Sequence, residues 1–369
     1  MTTSPLSTQA TGCGPILDEL PAEFGRGEEW KYSDIRAAIE GLTELELKKS
    51  TGLWQVLHAP FGGTQTLTSS PAYDSPLIID QNGERLKITL PARQSAHVQL
   101  AFSALPRAYI PSHVVIEVGE GASLTIFEHQ GGQPNAAEDG PGAGYWKNIR
   151  MEINLAARGQ LTLNRQMSED AGSVGFHDTI VRIQQSAEFY FTLTNLGHGF
   201  LRHQMQVDLL APHGVADLAG INLLDRKSHG DVTLKINHMA PQCRSSQYFK
   251  TILRDQAHGV YQGKIHVHQN AQKTDGYQLS NNLLLSPLAE MDVKPELEIY
   301  ADDVKCSHGT TTGELDETPI FYMKSRGIDE DSARKLLLSA FIEDILLKIS
   351  NEALRAHILD QTAQWLHKA

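Results

Sequence analysis

The residues best suited to chemistry in this sequence are Cys306 and His308, which are separated by a single residue in the run 301–309. Residues i and i+2 of a β-strand project from the same face, so a strand here would place a thiol beside an imidazole. Sulfur and nitrogen donors together suit a soft or borderline metal ion such as zinc or iron. Two ligands do not complete a metal site, so the others must come from elsewhere in the chain or from a partner.

Other interpretations of the same residues stay open. A free cysteine often behaves as a small core residue, which would leave the histidine as an ordinary surface side chain. The neighbouring Asp302 and Asp303 either fix the imidazole tautomer through hydrogen bonds or form a solvated acidic turn. Further upstream, His266 and His268 alternate on one predicted strand, where they form either a two-imidazole metal face or ordinary surface packing.

The segment from about residue 76 to 313 predicts a mainly β structure. Short runs with near-alternating apolar residues follow one another, separated by small turns such as 119–122 and 156–159. Strands of about five residues with brief turns are typical of a sandwich, a barrel or a stacked solenoid. No helical pattern of useful length interrupts the segment, which argues against βαβ units. The predicted strands include 114–118, 123–128, 150–155, 160–164, 179–183, 188–194, 204–210, 231–237 and 263–267.

The residues on either side of this core carry helical signals. Residues 1–75 mix short helical patterns with glycine and proline breaks, and Ser33 is predicted to cap a brief helix through Ile39. The predicted core ends at residue 315. Residues 316–369 form a C-terminal helical region, in which Asp316 caps one helix that ends at Gly327.

A second C-terminal helix is predicted to start near Asp329, with acidic residues at its positive end. It carries a wide apolar stripe that includes Leu337, Phe341 and Ile342. The stripe is explained equally well by packing against the β core and by docking of another protein.

Composition excludes several classes of function. The chain has 369 residues and a net charge of −12 with interspersed signs, which disfavours nucleic-acid and anionic-membrane surfaces. No apolar run approaches the ~20 residues that cross a bilayer, and residues 1–14 resemble neither a secretory signal nor a transit peptide. The three cysteines are widely spaced, which indicates reduced thiols and a cytoplasmic location. No Walker-type phosphate loop is present, so the chain is not expected to hydrolyse ATP.

An ordered set of motifs resembles the SufB/SufD family of iron–sulfur cluster assembly scaffolds. The resemblance is dense from about His238 to Glu343, and upstream it is reduced to the run 29–32. The chain is short and none of its cysteines are near neighbours, which fits the SufD branch of the family better than the cysteine-richer SufB branch. The motifs are 262–268, 271–277, 281–286, 294–300, 301–309, 313–317 and 325–328.

The resemblance implies a fold, partners and a site. The fold would be a right-handed parallel β-helix flanked by N-terminal and C-terminal helical regions. The partners would be a SufB-like subunit, joined through C-terminal strands, and a SufC-like ABC ATPase that contacts the C-terminal helices around Arg326, Leu337, Phe341 and Ile342. Cys306 and His308 would be ligands of a nascent iron–sulfur cluster shared with the partner. The resemblance leaves open whether a reduced flavin takes part and whether the isolated chain forms a homodimer.

Two rivals come from other classes of protein. One is a β-helical enzyme that acts on polysaccharides, or through a metal held by His266, His268 and Asp275. The other is an interaction scaffold that binds no metal.

Overall fold

The structure of the protein is a computed structural model that describes residues 24–40, 42, 47–50, 53–57, 76–132, 144–197 and 199–367. Residues 1–14, with Cys13, lie outside the described residues. Within the described residues, no helix has the length and apolar character that a membrane span requires.

Two β-sheets form the core, and the chain alternates between them. Sheet A is built from the short β1 and from the strands that follow one another in the order β18-β16-β14-β12-β10-β8-β6-β4-β3. Its strands are β1 (Lys48–Lys49), β3 (Ile78–Asn82), β4 (Arg85–Leu90), β6 (Ala108–Val118), β8 (Trp146–Leu155), β10 (Val174–Ile183), β12 (Phe200–Leu209), β14 (His229–His238), β16 (His258–Val267) and β18 (Glu290–Ile299).

Sheet B contains the intervening strands in the order β19-β17-β15-β13-β11-β9-β7-β5-β2. They are β2 (Leu53–Leu57), β5 (Ser95–Ala104), β7 (Ser123–Gly132), β9 (Gln160–Ser168), β11 (Glu188–Asn195), β13 (Val215–Leu224), β15 (Arg244–Leu253), β17 (Asp275–Leu284) and β19 (Lys305–Gly313). Successive strands within each sheet pair in parallel, and only β2 with β5 and β3 with β4 are antiparallel in the described residues. The prediction of a parallel β-helix is therefore confirmed, with about seven turns.

The core lies between the two sheets because side chains alternate along every strand. Equivalent residues of successive turns stack in columns, as Ile153, Val181, Val207, Ile236 and Ile265 do on sheet A. All five side chains are fully buried. Each column covers the apolar side chains of the turn next to it, so every turn depends on its neighbours for burial.

The corners between strands are formed by residues in the left-handed region that are mostly not glycine. Arg158, Ser186, His213, Gln242 and Lys273 have φ values of 58°, 54°, 64°, 61° and 59°. This conformation usually favours glycine, so the repeating corners leave no glycine period in the sequence.

Three helices follow β19, and the second and third of them cover the outer face of sheet B. They are α2 (Glu317–Ser325), α3 (Glu330–Leu346) and α4 (Glu352–His367). The predicted cap at Asp316 is confirmed, since its side chain accepts a hydrogen bond from the Thr318 amide. The next helix begins near Asp329 as predicted, and the Asp329 side chain accepts a hydrogen bond from the Ser332 amide. Apolar side chains of α3 and α4 share one cluster with outward-facing residues of sheet B, which fixes these helices to the solenoid.

The N-terminal segment, residues 24–40, covers the outer face of sheet A. It contains a 3₁₀ turn (Glu28–Trp30) and α1 (Ile35–Glu40). The prediction that Ser33 caps this helix is wrong, because Asp34 accepts the Ala37 amide while the Ser33 hydroxyl bonds to His229 and Asp231. Residues 1–75 also contribute strands β1 and β2, which sequence reasoning did not predict.

Candidate functional site

The solenoid has an open end, formed by the final strands β18 and β19. Each of them hydrogen-bonds along only one edge in the described structure, to β16 and to β17. Inward side chains of earlier turns are covered by the next turn, whereas those of the open end are not. An uncovered edge and an uncovered inward face are features that another chain can satisfy.

Cys306 and His308 lie on the inward face of β19 at this open end. Parallel register pairs Cys306 with Gly276 and His308 with Gln278. Gln278 is fully buried, so its face of the sheet is the one that points into the solenoid. Strand alternation therefore directs both the thiol and the imidazole toward the interior of a turn that has no cover.

The two side chains differ in their surroundings. Cys306 is half-buried against an apolar cluster that includes Ile265, Val267 and Ala301. Burial raises the pKa of its thiol, as does the nearby Asp275, while a backbone hydrogen bond from Gly276 opposes the shift. His308 is exposed and has no hydrogen bond or ion pair with any described residue. The site thus offers a shielded sulfur and a free imidazole.

A polar layer that sequence reasoning missed lies beneath His308. Gln247, Gln278 and His308 are register partners on β15, β17 and β19, so they form one inward column. The Tyr261 hydroxyl donates to the Gln247 side-chain oxygen at 3.3 Å, and Gln278 Nε2 donates to the Gly263 carbonyl at 3.1 Å. Both glutamines are fully buried, although glutamine is mostly exposed in folded proteins.

The acidic residues next to the site do not touch the imidazole. Asp302 and Asp303 are exposed in the turn before β19, where the Asp303 amide donates to Gln272 Oε1 at 3.0 Å. Neither carboxylate is hydrogen-bonded to His308. Their position is that of a solvated acidic turn.

His266 and His268 contact each other, but they do not form a complete metal site. The centroids of the His266 and His268 rings lie 4.3 Å apart. Burial of the His266 ring lowers its pKa, and the nearby His268 ring lowers that pKa further. Across the described ranges, no group of three or more histidine, cysteine or acidic side chains is placed to hold a metal ion. The structure therefore does not assemble His266, His268 and Asp275 into one metal centre.

The residues predicted to contact an ATPase occupy different environments. Arg326 is exposed at the end of α2, with its guanidinium 5.3 Å from the centre of the Tyr322 ring. Leu337 and Phe341 are half-buried, and Ile342 is 1% exposed against sheet B. Beside Arg326, sequence reasoning missed Phe321 and Tyr322, whose exposed fractions are 76% and 59%.

A polar clamp fixes α3 to sheet B at Phe341. Lys250 of β15 lies 4.8 Å from the centre of the Phe341 ring and donates to Asp344 at 2.8 Å. The Tyr248 hydroxyl donates to the same carboxylate at 2.6 Å. Burial raises the pKa of Asp344, but the hydrogen bonds from Lys250 and Tyr248 outweigh it and hold that pKa below its ordinary value. These contacts attach α3 to the sheet that also carries β19.

Comparison with known proteins gives one consistent result. A sequence profile of the family described as SUF system FeS cluster assembly, SufBD core domain, matches residues 102–341. The chain is 33% identical over 252 residues to the iron–sulfur cluster assembly protein SufD of Escherichia coli, a match that covers 68% of this chain and 58% of that protein.

Two further relatives carry the SufBD family name. A Synechocystis protein is 33% identical over 254 residues, which cover 68% of this chain and 55% of the relative. A Mycobacterium leprae protein is 28% identical over 372 residues, which cover 93% of this chain and 90% of the relative. The chain thus spans little more than half the length of the Escherichia coli and Synechocystis proteins.

Proposed function

The chain belongs to the SufB/SufD family of the SUF iron–sulfur cluster assembly system, and from that premise we propose that it is a SufD-like scaffold subunit. In this proposal it pairs with a SufB-like subunit and binds a SufC-like ABC ATPase. A nascent iron–sulfur cluster is the cargo of the complex, assembled at the seam between the two scaffold subunits.

The open end of the solenoid is the observation that carries this proposal. In the part of the chain that the structure describes, β18 and β19 each present an unpaired edge, and the inward row of β19 carries Cys306 and His308 without a covering turn. A β-helical partner that continues the sheets would bury this row and place its own side chains opposite it. The seam would then exclude water from the two donor groups.

The donor set supports a shared site. Iron–sulfur clusters are held by about four ligands, mostly thiolates, and this chain offers one thiol and one imidazole at its open end. The remaining ligands are assigned to the partner. Because burial raises the pKa of the Cys306 thiol, the free subunit holds it as a thiol, and binding of iron would displace the proton.

ATP hydrolysis is assigned to the partner ATPase, which would contact the C-terminal helices. Arg326, with the exposed Phe321 and Tyr322, would form the outer part of that contact. Leu337 and Phe341 would form its inner margin, and the buried Ile342 would hold α3 in place. Through the clamp of Lys250 on Asp344, force on α3 would reach sheet B and the seam.

The test is anaerobic cluster assembly by the co-expressed complex in the cytoplasm of a bacterial host. His308→Ala should abolish cluster formation and leave complex assembly intact, while His266→Ala should leave both unchanged. A full cluster yield with His308→Ala would remove His308 from the site. The absorbance of the same preparation shows whether a reduced flavin accompanies the complex.

The exposed strand edges also fit a second copy of this chain when no partner is present. Sedimentation of the isolated subunit measures this directly. A dimer that separates when the SufB-like subunit is added would show that both use the same open end, whereas a dimer unaffected by that subunit would place the two contacts on different surfaces.

A further inference from the structure

The open edge of β19 carries a complete set of backbone donors and acceptors. In a parallel ladder, alternate residues of a strand direct their N–H and C=O groups to the same neighbouring strand. The Lys305 amide donates to the Thr274 carbonyl of the preceding turn at 2.8 Å, so the odd-numbered residues of β19 bond to β17. The even-numbered residues therefore offer their N–H and C=O groups to the outside. They are Cys306, His308, Thr310 and Thr312.

The open edge of β18 is interrupted by a proline. The Tyr300 amide donates to the Val267 carbonyl at 2.9 Å, and the Glu290 amide donates to the Ala257 carbonyl at 3.0 Å. The even-numbered residues of β18 therefore bond to β16, and the odd-numbered ones face the outside. Pro295 is the middle member of the outward-directed set and has no N–H to donate. A strand added to β18 would thus meet a ladder that is broken at its centre.

Charge separates the two edges in the same way. Between residues 306 and 313, β19 has no acidic side chain, no lysine or arginine and no proline. Proline and charged side chains are the devices by which proteins keep an edge strand from pairing with another chain. One edge of the open end is therefore protected and the other is not. The charged residues of β18 are Glu290, Asp292, Lys294, Glu296 and Glu298.

We infer that the SufB-like subunit docks by adding a strand to the open edge of β19, where it pairs with the backbone of Cys306 and His308 themselves. In strand addition, main-chain hydrogen bonds supply affinity and alternate side chains supply specificity. A second copy of this chain would bring only one more thiol to the seam, whereas a cluster is held mostly by thiolates, which favours a cysteine-richer partner. The identity of the partner rests on the proposed function, but the unprotected edge is a property of the free chain.

Hydrogen exchange of the full chain, resolved to single amides by mass spectrometry, tests the edge directly. At a concentration where the chain is monomeric, the even-numbered amides of β19 should exchange faster than the odd-numbered ones, because only the latter donate to β17. Addition of the purified SufB-like subunit should protect the even-numbered amides and abolish this alternation. On β18 the alternation between outward-directed and paired amides should persist in the complex.

Two proline variants give a matched comparison of the edges. Thr310→Pro removes an outward-directed donor from β19 and should weaken the complex by about tenfold or more in calorimetry, because one ladder bond is lost and the ring occupies the place of the partner's carbonyl. Val293→Pro removes the equivalent donor from β18 and should leave the affinity unchanged. Urea unfolding of the free variants shows whether each one folds. If Thr310→Pro does not, the exchange measurement on the wild type decides the inference.

Three results overturn the inference: full affinity of Thr310→Pro, an equal loss of affinity in Val293→Pro, or alternation on β19 that survives in the complex. Protection of β19 in a dimer of the isolated chain that the SufB-like subunit does not displace would assign the edge to a second copy, which overturns it as well. A wild-type chain that binds no SufB-like subunit refutes the proposed function and the inference together, whereas full binding without these changes refutes the inference alone.

Discussion

Replacing Asp231 by asparagine tests how the N-terminal segment is attached to sheet A. The Asp231 carboxylate accepts a hydrogen bond from Arg202 at 2.6 Å and another from the Ser33 hydroxyl, and both ionic side chains are completely buried. The Arg202 guanidinium also lies 3.9 Å from the centre of the Trp30 ring. This cluster joins the segment to β12 and β14.

The expected loss follows from the uncompensated charge. Asp231→Asn keeps the shape of the side chain but leaves a buried guanidinium without its counter-ion, which costs about 3–5 kcal/mol. The matched control is Asp331→Asn, which removes an exposed i,i+4 partner of Lys335 and should cost about 0.3–0.5 kcal/mol.

Urea unfolding followed by tryptophan fluorescence measures the free energy of unfolding for both variants. Hydrogen exchange then locates the loss, because the amides of residues 24–40 should lose protection before those of the central turns. If Asp231→Asn costs less than about 1 kcal/mol, comparable with an exposed pair, the buried ion pair does not attach the segment as described.

Three further predictions concern other parts of the molecule. Burial lowers the pKa of His238 to about 4, so as pH falls the imidazole is protonated in the unfolded chain before it is protonated in the folded chain. The free energy of unfolding should therefore be unaffected by His238 above about pH 6.5, and should decrease by up to about 1.4 kcal/mol per pH unit between about pH 6.5 and 4. Urea titrations at several pH values should show a smaller pH dependence for His238→Gln. Phe321→Asp should weaken ATPase binding in calorimetry without changing stability, whereas Ile342→Ala should cost about 2–5 kcal/mol of unfolding free energy because its side chain is buried. Gly263→Ala should cost about 1–3 kcal/mol in urea unfolding, because its Cβ would overlap the Gln278 amide.

Much of the core was predictable because alternation of apolar residues is a local signal. The nine predicted strands lie on β6 to β12, β14 and β16, whereas β13 and β15 were not predicted. The cap at Asp316 was predicted from a residue type that accepts amide hydrogen bonds. The solenoid itself could not be derived from spacing. Its corners place residues such as Arg158 and Lys273 in the left-handed region, so the repeat has no glycine signature. The family resemblance was needed to choose among the β architectures.

The interactions that sequence reasoning missed join residues far apart in the chain. Ser33 has the chemistry of a helix cap, but its hydroxyl binds Asp231, 198 residues away. On β17 the usual polarity of the two faces is exchanged: the polar Gln278 points into the solenoid, while the apolar Leu283 faces the C-terminal helices. A pattern rule assigns Gln278 to the solvent, so the column beneath His308 was visible only in the structure. Sheet B covers most of the apolar stripe of α3. Sequence reasoning did not identify the exposed residues of α2.

The most direct test of the account is whether a nitrogen of His308 binds the iron of the assembled cluster. The partner-bound complex, prepared anaerobically with ¹⁵N-histidine in this subunit, is reduced and examined by electron–nuclear double resonance. The account predicts a ¹⁵N coupling to the cluster that disappears in His308→Ala and persists in His266→Ala. A cluster that shows no histidine coupling in the wild type, or the same coupling without His308, would contradict it.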